Sequence, residues 1–157
     1  GKSLAAALGC RFLDIEDYYF PQKDAGYHEA AARTRDEVRV SLLNDLRKHD
    51  HLILASVKGN EFEEVKALLT KAVFVQVPED VRMKRAWDRS YRQFGPRILP
   101  GGDLYEEEKR FFDKIAKRTE REVEDCLEQI GIPVIRVDGT RTIEDNTATL
   151  ARMLRTD

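Results

Sequence analysis

A chain of 157 residues, 41% hydrophobic and 36% charged, is long enough for one domain with a real core and short for two. Its 27 Lys and Arg stand against 29 Asp and Glu, a net charge of −2 that excludes a uniformly basic nucleic-acid binder. Apolar periodicity along the chain excludes a disordered acidic tail. No run of about 18 apolar residues and no signal peptide is visible, and two cysteines, Cys10 and Cys126, do not frame a disulfide-stapled fold. The expected setting is cytoplasmic, with no membrane and no nucleic acid as partner.

In chain order, Ser3 to Gly9 reads as a short helix stopped by its glycine. Residues 11–15 read as a short strand running into a polar and aromatic loop, 16–27. A long helix is expected over 28–48, with Ala31, Val38, Leu42 and Leu46 on one stripe. The nearly continuous apolar runs 51–57 and 72–77 read as strands buried on both faces, separated by a helix over 61–71. Pro78 can open a helix to about Ser90. Residues 93–102 form a Gly- and Pro-rich loop. Asp103 with Glu106 looks like a capping box, opening one helix that runs to about Ile130 and ends at Gly131. A strand over 133–138 and a final helix from Thr142 through Leu154 complete the chain. Strands alternating with helices imply a parallel sheet covered on both faces, in a single domain over 1–157.

Gly1-Lys2-Ser3, followed at once by a helix, matches the last third of a P-loop, G-x-x-x-x-G-K-[ST]. In that motif backbone amides and the helix N-terminus cradle phosphates, the lysine reaches the β and γ phosphates, and the hydroxyl holds Mg²⁺. The motif's first glycine and a preceding strand would then lie upstream of Gly1, with the sequence beginning inside the motif. Asp14, Glu16 and Asp17 sit where the strand over 11–15 ends, the edge at which ligands bind in open α/β sheets. A carboxylate there can hold a metal-bound water or accept a hydroxyl proton. The plain alternative is a solvated loop with an N-cap. Tyr18, Tyr19 and Phe20 line a pocket or enter the core.

These residues, GKS-helix followed by Phe12-Leu13-Asp14-Ile15-Glu16-Asp17, resemble the small P-loop kinases of the shikimate kinase, gluconate kinase and adenylate kinase group. The resemblance implies a three-layer α/β P-loop kinase fold with five parallel strands, of which the first, central one is missing here, and an Arg-rich lid over about 89–118. It implies ATP and Mg²⁺ as cofactors. Asp14 matches the metal-side acid and Glu16 the substrate-side acid, with Asp17 as a competing assignment. Arg35 stands near the place of a substrate arginine but out of register. Gly59 belongs to the exit Val57-Lys58-Gly59, where shikimate kinases carry a glycine triplet. No Asp follows the strand over 51–57, which counts against a motor-type ATPase and leaves Asp14 as the metal-side candidate.

Arg82, Arg85, Arg89 and Arg92 are spaced by three, four and three, hence on one helix face leading into the loop. Arginines on a closing lid stabilise a transferring phosphoryl group and exclude water. By resemblance, Arg85 and Arg89 match arginines that stack on adenine or contact phosphate. Arg118 matches one on the helix returning from the lid. Gly139, in Asp138-Gly139-Thr140, matches the turn that packs on adenine.

The expected activity is ATP-dependent, Mg²⁺-assisted phosphoryl transfer to a small-molecule acceptor by a monomer or homodimer. Lys2, Asp14, Arg89 and Arg118 would be catalytic, and Gly1, Lys2, Ser3, Arg85, Arg89 and Gly139 would bind nucleotide. Glu16, Asp17, Arg35 and Gly59 would bind substrate, and Ser3 and Asp14 the metal. Two alternatives stand beside it. One is a nucleoside monophosphate kinase using Arg33, Arg35 or Arg39 on the acceptor phosphate. The other is a nucleotide-binding NTPase or regulator without an acceptor.

Overall fold

The computed structural model describes residues 1–21, 32–57 and 61–155. Val38, Leu42 and Leu46 of the expected stripe are buried on helix α3, Arg35–Leu46, together with Leu43, and Ala31 lies outside the described residues. Thr34 starts that helix with a full capping box to Glu37, which places its start well after the expected one. His28 lies outside the described residues. Before α3 come α1 (Lys2–Leu8), β1 (Arg11–Asp14) and α2 (Ile15–Tyr19). α2 was expected to be loop. The Asp14 side chain caps it by accepting from the Glu16 N–H at 3.0 Å.

After α3 follow β2 (Leu52–Ala55), the single turn α4 (Glu63–Lys66), β3 (Ala72–Gln76) and the long α5 (Glu79–Phe94). A 3₁₀ turn over Gly95–Ile98 leads to α6 (Tyr105–Ala116) and α7 (Glu120–Ile130), then β4 (Val134–Asp138) and α8 (Ile143–Arg155). The expected continuous helix over 103–130 is therefore two helices. Thr119 interrupts it, because its hydroxyl accepts from the Glu122 N–H while Glu122 bonds back to the Thr119 N–H. Asp103 does not cap α6. It pairs with Arg97, and Leu104 stands at the cap with no side-chain bond.

The expected five-stranded sheet of a three-layer P-loop kinase fold is not what forms. The described strands make two separate two-stranded parallel sheets, β1 with β2 and β3 with β4, in a mostly helical chain. Asp14 registers with Ala55 in the first, and Gln76 with Asp138 in the second. The sheets meet through side chains: Ile53 of β2 joins Val73 and Ile135 of the second sheet against Leu4, Val137, Leu150 and Ala151. No backbone ladder joins them among the described residues. Among the described residues each strand has a strand neighbour on one side only. The apolar runs are not buried on both faces as expected: β2 is half-buried throughout and Val75 of β3 is 51% exposed, so its outer face is not fully covered.

Two cores result. One gathers Leu13, Ile15 and Tyr18 with the α3 stripe, Phe62 and Val65. The other is the cluster under α1 and α8 just described. No helix among the described residues is long and apolar enough to cross a membrane.

Candidate functional site

The first turn of α1 lies against β1. A Cβ on Gly1 would stand 2.3 Å from Cε2 of the Phe12 ring, so glycine is what lets the helix start approach the strand. Lys2, exposed, carries its Nζ 5.9 Å from the centre of that same ring. Ser3 is exposed in the same turn, and among the described residues no side chain caps the helix start, so its first amides have no side-chain acceptor there.

Two residues beyond Phe12, Asp14 ends β1. One of its carboxylate oxygens holds the α2 start. Glu16 and Asp17 are exposed in the first turn of α2, where acidic groups favour the helix dipole. The structural role weighed for Asp14 is thus real, and its second oxygen takes no hydrogen bond among the described residues. Tyr18 belongs to the core, with its hydroxyl bonded to Asp45 at 2.8 Å.

Beside these acids the structure brings together residues that sequence reading did not join. The Ser56 hydroxyl, one residue past β2, donates to both carboxylate oxygens of Glu61 at 2.9 and 3.1 Å. Arg35 donates through Nη2 to the Glu61 carbonyl, and its guanidinium lies 5.3 Å from the centre of the Phe62 ring. Glu61 had only the signal of opening a helix; its role shows once the chain returns to the sheet edge. Arg35, expected as a substrate arginine, is engaged internally by these two contacts. Gly59 and Lys58 lie outside the described residues.

The arginine stripe of α5 divides. Arg82 donates through Nη2 to the Arg118 carbonyl at 3.0 Å, and Arg85 through Nη1 to the Gly139 carbonyl at 2.7 Å. Arg89 and Arg92 are exposed, and neither has an ion pair among the described residues. Lys84 is paired with Asp88 at 2.8 Å. Arg85, Gly139 and Arg118 therefore share one neighbourhood, at the ends of β3 and β4. Gly139 is required there: a Cβ would meet Val77 at 2.4 Å and Val75 at 2.8 Å. Asp138 beside it bonds the Thr140 hydroxyl at 2.6 Å, which, with the Thr140 N–H, holds its carboxyl below the usual carboxylate range. A cavity of about 350 Å³ opens nearby, lined by Gln76, Pro78, Glu120, Arg136 and Asp138 among others.

The loop after α5 is tied internally. Ile98 is 2% exposed, the Gly102 N–H donates to the Leu99 carbonyl at 2.8 Å, and Arg97 pairs with Asp103 at 2.6 Å. Trp87, expected in the helix core, is 41% exposed, with its ring against Phe112 and Tyr91.

The chain is 28% identical over 113 residues, 72% of its length, to a protein of Bacillus subtilis (strain 168) named uncharacterized protein YqaC. The match spans 61% of that relative's length. No protein-family model and no solved structure matches.

Proposed function

We propose that this chain binds ATP with Mg²⁺ and transfers the γ-phosphoryl group to a small-molecule acceptor. The observation that carries this reading is the first turn of α1: Gly1 packed on Phe12, an uncapped helix start, and an exposed lysine and serine in GKS order. A lysine and free backbone amides at one point suit a polyphosphate. Oxygen donors of the kind Mg²⁺ takes, the Ser3 hydroxyl and the second Asp14 oxygen, are present. Among the described residues no three His, Cys, Asp or Glu cluster as a metal site, so phosphate oxygens would supply much of the coordination. When bound, the ion neutralises charge between the β and γ phosphates.

In this reading Lys2 holds the phosphate chain, and Glu16 or Asp17, exposed beside Asp14, orients the acceptor hydroxyl. Arg89 and Arg118 place positive charge where the transferring group is most negative. The monophosphate-kinase alternative draws no support from Arg35 and Arg39, which hold Glu61 and Glu64.

The test is a thermal shift with MgATP on the wild type and Lys2→Ala. A ligand that binds only the native state raises its midpoint. The wild type should shift, and Lys2→Ala should lose most of the shift while keeping its far-UV spectrum. ADP formation across a panel of hydroxylated metabolites then finds the acceptor. A wild type indifferent to MgATP would overturn the reading.

A further inference from the structure

Two helices carry the same short pattern, Lys-Arg-x-aromatic-Asp, at 84–88 on α5 and at 109–113 on α6, and they meet at its aromatic position. The centres of the Trp87 and Phe112 rings are 5.6 Å apart. On α5 the residues Lys84, Trp87, Asp88 and Tyr91 stand at i, i+3, i+4 and i+7, hence on one stripe. The Trp87 and Tyr91 rings stack at 18° with their centres 6.4 Å apart, and they are 41% and 43% exposed. A contiguous exposed aromatic surface of this kind marks an interaction site. Trp and Tyr are also the side chains that anchor protein interfaces, where they bring large, rigid contact area.

The charges beside these rings name the occupant. Lys84 pairs with Asp88 at 2.8 Å within the α5 stripe, and Lys109 and Asp113 are exposed at the matching places of α6. Two ammonium groups and two carboxylates cancel. The rim therefore offers no net attraction to a partner of one sign, such as a nucleic acid, an acidic peptide or an anionic membrane. Its order of signs does suit a second copy of this chain. A twofold axis beside Trp87 runs α5 antiparallel to α5 of the second copy. That arrangement brings the two Trp87 rings together and sets Lys84 of each copy opposite Asp88 of the other. We propose that two copies of this chain associate through the aromatic face of α5 and α6. The aromatic core of the contact is small, so the dimer is weak, with a dissociation constant in the micromolar range. This surface does not depend on the phosphotransferase reading.

The experiment is sedimentation velocity at concentrations from about 1 μM to about 1 mM, which spans weak association. The wild type should pass from monomer to dimer across this range. Trp87→Ala should weaken the dimer at least about tenfold with an unchanged far-UV spectrum, the scale of an interface anchor. If Trp87→Ala does not fold, Tyr91→Ala takes its place with the same outcome. Charge reversal then tests the pairing across the axis. Lys84→Glu and Asp88→Lys should each dimerise more weakly alone, because like charges then face each other. An equimolar mixture of the two should recover the wild-type affinity, since each variant supplies the sign the other lacks. A wild type that stays monomeric would overturn the proposal and assign the face to a different partner. A dimer indifferent to the aromatic substitution, or a mixture no tighter than either variant by itself, would overturn it as well. None of these outcomes bears on MgATP binding.

Discussion

The Tyr18 hydroxyl donates to Oδ2 of Asp45 at 2.8 Å, tying α2 to α3 across the first core. Asp45 also accepts from the Lys48 ammonium at 2.8 Å on the solvent side. Tyr18→Phe keeps the ring in the core and removes only this bond, so it should cost about 1–2 kcal/mol, measured by urea unfolding at pH 7.

The same pair gives an acid signature. The Lys48 ammonium first, and the Tyr18 hydroxyl after it, hold the Asp45 carboxyl below its usual range. A depressed carboxylate contributes stability that is present above the ordinary value of about 3.9 and is lost as pH falls through the folded value. The stability gap between wild type and Tyr18→Phe should therefore narrow below about pH 4. Burial first, and the Asp45 bond after it, push the Tyr18 phenol up. Its contribution is whole below the ordinary value of about 10 and does not blur the acid measurement. A gap constant from pH 7 to pH 3 would show that the bond carries no ionic share.

Leu42 is fully buried in the same core, with Val38 one turn earlier. Leu42→Ala should cost about 2–5 kcal/mol through lost burial and a residual cavity. Thermal unfolding reads this directly, and a cost under about 1 kcal/mol would mean the site collapses around the smaller side chain.

Gly139 tests the neighbourhood of Arg85. Its N–H donates to the Gln76 carbonyl at 2.7 Å, and a methyl group there would overlap Val77, Val75 and that carbonyl. Gly139→Ala should destabilise by about 1–3 kcal/mol through forced displacement of β3 or the turn. If this turn meets the nucleotide, the variant should also weaken MgATP binding by more than it weakens the fold at the assay temperature. Unchanged affinity in a folded Gly139→Ala protein would remove the turn from the nucleotide site.

What was legible in the sequence was local. The four strands and the α3 stripe sit close to their expected places, because apolar runs and helical spacing are written over a few residues. Thr142 bonds the Asp145 N–H at 3.1 Å, as its pattern predicts. Sheet assembly was not legible. β2 and β3 read as fully buried strands by composition, yet among the described residues each pairs on one side only, since a run of Leu and Val does not say which strand will lie beside it. The arginine stripe was visible as a stripe, but its division was not. Whether Arg82 and Arg85 meet a ligand or a carbonyl depends on segments 36 and 54 residues away. The bond between Ser56 and Glu61 was not legible for the same reason, since it exists only once the chain after β2 turns back.

The corner between α6 and α7 escaped because the Thr119–Glu122 box lies inside a stretch that reads as one helix from Asp103. Thr119→Ala removes the hydroxyl that accepts from the Glu122 N–H and should cost about 1 kcal/mol. The Glu122 carboxylate still accepts from the residue 119 N–H in that variant, so α7 keeps one half of its capping box. The expected result is a small loss of stability, read by urea unfolding at pH 7, with the helical ellipticity little changed. A Thr119→Ala protein as stable as the wild type would show that the Glu122 half of the box holds the start of α7 by itself.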